Sequence, residues 1–232
     1  MVIIIIEKPE VIFFVKDRNQ TKVIDYYANL FTDKNKKVLR MAYNDFDYKS
    51  QRKHIKEEDG FIYQWHMYAE QMIIYFLLSS DDRVSKQDAL DIFNGFRRDK
   101  KKIDNMEFVR CPTGSLFTYQ FSNCFFNFKD YLDCNGYDWD LNSKLACLDN
   151  YYYCKNNKDY KTFKEGLWGI SASEGPNGYE GYGVPPYDYD ENIKYDTTYH
   201  IDGTISIYSI LSSIVFIDDI VLDTINKINT NY

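Results

Sequence analysis

The chain of 232 residues is poor in several things at once: 3 His, 5 Pro, 5 Cys, and no long hydrophobic run. Each shortage excludes something. No stretch reaches the ~18 apolar residues that a membrane-spanning helix needs, so no membrane span is expected. His54, His66 and His200 pair with no Cys at finger spacing, so no metal site is expected. Cys111, Cys124, Cys134, Cys147 and Cys154 are odd in number, irregularly spaced and without a C-x-x-C, which argues against a complete disulfide framework. Cys147 and Cys154 fall on one helix face about two turns apart, too far for a bridge in a straight helix. Free buried thiols are therefore expected. There is no G-x-S-x-G and no P-loop, and Gly175-Pro-Asn-Gly178 lacks the spacing and following helix of a dinucleotide fingerprint, so no cofactor is expected. Positive charge is in deficit as well: Lys and Arg total 28 against 35 Asp and Glu, a formal net charge of -7. An acidic surface repels phosphate backbones, so nucleic acid is not an expected partner. The apolar opening Met1–Ile6 is stopped by Glu7, Lys8 and Pro9 and has no small-residue cleavage site, so it does not read as a signal peptide. A cytoplasmic location is the default that follows, and the abrupt start suggests a piece of something longer.

What is present reads as a soluble globular protein, one domain or part of a larger one. Hydrophobic residues make up 44% and charged residues 27%, both ordinary values. The unusual figure is 18% aromatic, with 22 Tyr, 16 Phe and 3 Trp. Tyrosine has an apolar face and a polar tip, which suits a ligand cleft. A compositionally biased genome would give the same excess with no functional meaning.

Periodicity predicts a mostly helical chain. Residues 1–20 read as an irregular N-terminal segment with a short strand at Val11–Val15, and 21–232 as the domain proper. Val23, Ile24, Tyr27, Leu30 and Phe31 mark an amphipathic helix over Thr21–Phe31. Residues 43–60 read as a charged surface connection. Trp65–Leu78 is apolar nearly all round, as in a buried helix. Ser85 and Asp88 resemble a capping box opening a helix to about Arg98. Lys100–Lys102 reads as a solvated charge run. Phe121–Tyr131 and Leu141–Tyr153 read as helices, the second with Leu141, Leu145, Leu148 and Tyr152 in register. A final pair spans about Thr204–Val215 and Asp218–Asn229, the last capped by Asp218 or Asp219, with Ile217, Val221, Ile225 and Ile228 as its stripe. Residues 164–203 form a long irregular stretch rich in Gly. Its Leu167, Trp168, Ile170, Tyr179 and Tyr182 argue for an ordered, functional loop. A run of antiparallel helices with such a loop at one end suggests a helical array or toroid.

With nucleophile and phosphate motifs missing, the chemistry falls to carboxylates. Glu70 lies in Trp65-His-Met-Tyr-Ala-Glu-Gln-Met-Ile-Ile, where a lone carboxylate is costly unless paired or functional. Desolvation raises its pKa, as a general acid near neutral pH requires. An ion pair with a neighbouring helix is the plainer alternative. Glu174, in Ser-Ala-Ser-Glu-Gly-Pro-Asn-Gly, and Asp202, in His-Ile-Asp-Gly-Thr, are further candidates, each also readable as a turn or capping acid. Two facing carboxylates are the minimum for glycoside hydrolysis. Aromatic faces stack on sugar rings, so Trp65, Trp168 and Tyr182 suit substrate subsites, or else the core.

The segments Gly-Leu-Trp-Gly-Ile-Ser-Ala-Ser-Glu-Gly-Pro-Asn-Gly-Tyr-Glu-Gly-Tyr-Gly-Val-Pro-Pro (166–186) and Asp-Gly-Thr-Ile-Ser-Ile-Tyr-Ser-Ile-Leu-Ser-Ser-Ile-Val-Phe (202–216) closely resemble the glucoamylase-like (Glycoamylase) domain family. That family includes bacterial endo-β-1,2-glucanases and domains of cyclic β-1,2-glucan synthases. Residues 114–131, 138–154 and 68–80 are similar to its preceding segments, in order. The resemblance implies an all-α fold, here a partial (α/α)6 toroid of antiparallel helices with a long ordered Gly-rich loop. It implies a glycoside hydrolase acting on a β-glucan oligosaccharide or polysaccharide, by inversion. It implies that Glu70 is the motif Glu of the Tyr-x-Glu helix, that Glu174 stands where Asp is usual, and that Trp168, Tyr182 and Asp202 are cleft positions. Tyr68 and Gln120, on the matching segments, are expected to bind substrate with them. Asn123 stands where His is usual, Asn127 where Asp is usual, and Val215 where Pro is usual. The family's N-terminal helices have no counterpart here, so the missing N-terminal half of the domain is an expected partner. A non-catalytic carbohydrate-binding or structural remnant is the competing expectation.

Overall fold

The computed structural model describes residues 3–6, 11–14, 37–43, 61–82, 84–185 and 200–231. The chain divides into two compact units, Met1–Met67 with Gln71–Arg97, and Tyr68–Glu70 with Arg98–Tyr232.

In the first unit, β1 (Ile3–Ile6) pairs antiparallel with β2 (Val11–Phe14), so the expected short strand is present and the opening run, expected to be irregular, supplies its partner. β3 (Leu39–Tyr43) pairs with β4 (Phe61–Trp65), Leu39 opposite Trp65. Helix α1 covers Met72–Ser79 and α2 covers Lys86–Gly95. The single buried helix expected over Trp65–Leu78 is thus corrected. Phe61–Trp65 is rich in β-formers that find a partner strand, a turn follows, and only the last part is helical. That part is buried as expected, through Met72, Ile73, Tyr75, Leu77 and Leu78. The ring of Tyr75 meets Phe93 and Phe96, each with centroids 5.4 Å away, fixing α1 on α2. Ser85 caps α2 as its sequence indicates, accepting from the Asp88 N–H at 3.0 Å and donating to the Asp88 carboxylate at 2.6 Å. The helix expected over Thr21–Phe31 and the connection at 44–60 lie outside the described residues.

The second unit begins with the hairpin β5 (Lys100–Ile103) and β6 (Met106–Val109). Helix α3 (Phe117–Gln120) runs into a 3-10 turn at Phe121–Cys124. Then come α4 (Trp139–Asn156), α5 (Lys161–Lys164), the hairpin β7 (Ser173–Gly175) and β8 (Gly178–Glu180), α6 (Ile207–Ser212) and α7 (Ile214–Asn231). The described residues therefore form seven α-helices with four two-stranded antiparallel hairpins. The fold is mostly helical, and the expectation of an all-α chain is corrected by these hairpins. One of them lies in the Gly-rich stretch expected to be irregular, where Pro176-Asn177 makes the turn. Residues 186–199 of that stretch lie outside the described residues.

Three further corrections have local causes. Lys100–Lys102 is a strand whose Lys100 and Lys102 are solvated as expected, while Lys101 points inward and pairs with Asp149 at 2.6 Å, both side chains buried. The helix expected over Phe121–Tyr131 stops at Cys124. There Asn123 donates to the Tyr119 carbonyl and Asn127 accepts from the Lys129 N–H, side-chain bonds that compete with helix propagation. In α4 the expected stripe is only partly buried: Leu145 is buried and Leu148 half-buried, whereas Leu141 and Tyr152 are exposed. The helix buries Asn142, Ser143, Asp149 and Asn150 beside Leu145, Ala146, Cys147 and Cys154. Asn142 clamps both backbone groups of Val109, at 2.6 and 3.1 Å. Asn150 accepts from the Gly169 and Ile170 N–H groups at 3.1 and 3.0 Å and donates to the Ile170 carbonyl at 2.9 Å.

Ile217, at φ -143° and ψ 56°, breaks the last helix. The helical break thus falls between the expected pair, and Ile217 and Val221 are buried as expected while Ile225 and Ile228 are half-buried. All five cysteines are free. Cys111, Cys147 and Cys154 are buried, whereas Cys124 and Cys134 are exposed, against the expectation for those two. No described helix is long and apolar enough to cross a membrane.

Truncating Asn150 to Ala strands two buried N–H groups and a carbonyl. Urea unfolding should show a loss of about 2–4 kcal/mol. Leu141→Ala, on the exposed side of the same helix, should cost under about 1 kcal/mol. Equal losses would mean that the polar clamp contributes nothing.

Candidate active site

Glu70 lies on the turn leading into α1 rather than within a helix. It is half-buried. Burial pushes its carboxyl above the usual carboxylate range, partly opposed by a hydrogen bond from its own backbone. The turn is held from below: Ser122 Oγ donates to the Glu70 carbonyl at 3.0 Å. Tyr68, two residues earlier, is buried, stacked on Trp139 at 5.2 Å between centroids and 9° between planes, and tilted against Tyr119 at 5.4 Å. Burial raises the Cys111 thiol and the Tyr68 hydroxyl.

A second cluster forms around Asp202. Its Oδ1 accepts from the Thr204 N–H at 2.8 Å, an Asx turn, and its Oδ2 accepts from the Tyr182 hydroxyl at 3.1 Å. His200 Nε2 lies 3.8 Å from the same oxygen. Partial desolvation would raise the Asp202 pKa, but the hydrogen bonds from Thr204 and Tyr182 and the nearby His200 outweigh it and hold the carboxyl below its usual value. Tyr182 is fully buried, and its hydroxyl sits where a Cβ on Gly175 would be. This contact ties the hairpin that carries Glu174 to Asp202. Glu174 itself is exposed.

The segment Cys111–Ser115 meets the chain that follows Tyr182. Further along, the Gly114 carbonyl accepts from the Val184 N–H at 3.0 Å. A Cβ on Gly114 would land on the Val184 carbonyl, and one on Gly183 on the Thr113 carbonyl, so two backbones cross in contact next to Tyr182.

The other nominated residues are placed differently. Trp168 is 1% exposed, donates its indole N–H to Thr224 at 2.8 Å and meets Tyr151 edge-on, so its ring is enclosed by protein. Gln120 is buried, and its amide donates to the Ser209 carbonyl at 2.7 Å and Ser213 Oγ at 2.8 Å, joining α3 to α6. Trp65 is half-buried on β4, in the first unit. Sequence reasoning missed Ser122 and His200. The Asp202-x-Thr204 turn was legible locally, whereas Ser122 meets Glu70 only through the fold. Among the described residues no group of three or more His, Cys, Asp or Glu is arranged to hold a metal ion.

Residues 62–232 match the model of the Glycoamylase family, described as "Putative glucoamylase". The chain belongs to this family. Two solved structures extend the Glycoamylase assignment to the fold. The crystal structure of a "putative glucoamylase" from Bacteroides caccae is 25% identical, with a TM-score of 0.55, over 71% of this chain and 39% of that one. An endo-β-1,2-glucanase from Chitinophaga pinensis, solved with sophorotriose and glucose, is 20% identical, with a TM-score of 0.54, over 70% of this chain and 38% of that one. The chain thus spans well under half the length of these Glycoamylase-like structures. A comparison with curated proteins finds no match.

The Gly175–Tyr182 contact is testable by second-site rescue. Gly175→Ala should lower stability by about 1–3 kcal/mol through overpacking. Adding Tyr182→Phe, which removes the hydroxyl, should restore part of that loss in thermal unfolding. No rescue would place the strain elsewhere.

Proposed function

We propose that this chain carries part of the active site of a glycoside hydrolase that cleaves a β-glucan, β-1,2-linked, by carboxylate general acid and base catalysis. The observation that supports this reading is the opposite displacement of two acids: burial holds Glu70 high, while hydrogen bonds hold Asp202 low. Two acids with environments this different, facing one sugar, divide into a proton donor and a proton acceptor. Glu70, protonated, gives its proton to the leaving glycosidic oxygen. Asp202, ionised, is oriented by Tyr182 and Thr204 to activate water. Inversion needs the two carboxyls roughly 6.5–9.5 Å apart, leaving room for that water. Glu174 is the other acid on hand, on a hairpin fixed to the same Tyr182. Of the nominated substrate residues, Tyr68 supports the turn of Glu70 and Tyr182 supports Asp202. Trp168 and Gln120 serve the packing beneath them, and Trp65 lies in the other unit.

A second reading, carbohydrate binding without turnover, is favoured by one observation, the coverage of only 38–39% of the solved relatives. Reducing-sugar release from linear β-1,2-glucan separates the two: binding of the glucan with no release supports the second reading.

Where turnover is found, Glu70→Gln should lower it by about 10²–10⁴-fold while preserving shape. Full turnover in that variant would remove Glu70 from the mechanism. The pH profile carries its own sign. Activity should fall as pH rises through the raised pKa of Glu70, because the donor loses its proton. It should fall again as pH drops through the lowered pKa of Asp202, because the acceptor gains one. An Asp202→Asn variant that kept the acidic limb would exclude Asp202 as its origin.

A further inference from the structure

Helix α6 and the start of α7 are amphipathic the wrong way round. Ser213, between them, has helical backbone geometry, and the Phe216 and Ile217 N–H groups both donate to its carbonyl at 3.0 Å, so the winding carries on from one helix into the next. Over 207–215 the spacing i, i+1, i+4, i+7, i+8 that marks one helix face falls on Ile207, Tyr208, Leu211, Ile214 and Val215. In a helix packed on a core, such a stripe is the buried one. Here all five residues are exposed, Ile207 to 54% and Val215 to 74%. The inward side belongs to Ser206, Ser209 and Ser213, with Ile210 among them. Every one of these hydroxyls has a partner. Ser206 donates to the Ser171 carbonyl and Ser209 to the Gly169 carbonyl, each at 3.0 Å. Ser213 donates to the Ser209 carbonyl and accepts from the Gln120 amide, each at 2.8 Å. The helix cannot roll over to hide its apolar stripe, because that would break this set of buried bonds.

We propose that this outward stripe is a docking surface, and that its occupant is a second, different polypeptide: the part of a Glycoamylase domain that this chain does not span. A contiguous exposed apolar face marks an interaction site, and two observations select the occupant. The solved relatives are far longer, and more than half of each lies outside the match to this chain. Polypeptide of that family therefore exists to cover the stripe. Charge argues against a second copy. Asp218 and Asp219 follow the stripe and are exposed, and the whole chain carries a formal net charge of -7. Two copies of the stripe brought face to face would also bring these acids together, and like charges at an interface are unfavourable. A partner that sets apolar side chains against Ile207, Leu211 and Val215, and Lys or Arg against Asp218 and Asp219, meets both demands, with an apolar centre and a charged rim. The serine bonds beneath hold the stripe in place before the partner arrives, which lowers the cost of docking. The proposal rests on family membership and not on the hydrolase reading.

The test is co-production of the whole chain with the part of the Bacteroides caccae relative that lies outside the match, followed by size-exclusion chromatography with light scattering. A one-to-one complex is expected. Val215→Asp, at an exposed position, is expected to leave the thermal midpoint of the chain alone unchanged and to weaken the complex about tenfold or more. Tyr131→Asp, at an exposed ring off the stripe, is expected to leave the complex intact. The proposal is overturned if no complex forms, if the Val215→Asp chain binds as tightly as the unaltered one, or if Tyr131→Asp weakens binding equally. A chain that by itself runs as a dimer, and as a monomer once Val215→Asp is introduced, gives the stripe to a second copy and overturns the proposal. A fall in the thermal midpoint of the Val215→Asp chain alone shows the stripe already covered by the chain's own residues, and overturns it as well. No arm reads glucan turnover, so failure of the hydrolase reading leaves each outcome as it is.

Discussion

The second unit hangs on the polar face of one helix. Asn142, Ser143, Asp149 and Asn150 of α4 turn inward, where an ordinary amphipathic helix would present Leu or Ile. Each holds a different segment. Asn142 holds β6, Ser143 holds the Tyr119 carbonyl at 2.9 Å, Asn150 holds 169–170, and Asp149 holds Lys101. Buried polar groups are costly unless satisfied, so a helix of this kind is stable only with all its partners in place. That requirement converts the loops from adaptable connections into fixed parts. Burial raises the Asp149 carboxyl, against the opposing pull of Lys101. Lys101 donates also to the Pro185 carbonyl at 3.0 Å, carrying the anchorage on to the segment that follows Tyr182.

The site inherits its form from this anchorage. Glu70 stands on a turn braced by Ser122 and by the stacked rings of Tyr68 and Trp139. Asp202 stands on a turn braced by Tyr182. In neither case does the acid lie on a long helix. Short turns allow the environments of two acids to differ sharply, one desolvated and one richly hydrogen-bonded, within a single compact unit.

What the sequence made legible follows from which forces act locally. The Ser85 cap, the strand at Val11, the break before Asp218 and the stripe through Ile217 and Val221 depend on neighbours within a turn or two, and all were readable. The buried face of α4 was not, because hydrophobic periodicity cannot detect a helix that buries amides. Lys101 was read as solvated because nothing near it in sequence announces Asp149. The motif at 166–186 pointed to the family, yet Trp168, its most conspicuous residue, is occupied by Thr224 in the interior. A motif residue can be needed for packing as much as for contact with a ligand. Glu70 was singled out for its apolar surroundings; it is half-buried, and it sits on a turn rather than in the apolar helix.

The crossing of Gly114 and Gly183 has an evolutionary consequence. Gly114 also has a positive φ of 64°, so it is constrained twice over. A side chain at either position meets the main chain of the other segment, and main chain cannot be trimmed by a compensating substitution. Neither glycine can therefore be replaced first, and no neutral path leads to a pair of larger residues. Variation in this part of the protein is therefore channelled away from the crossing.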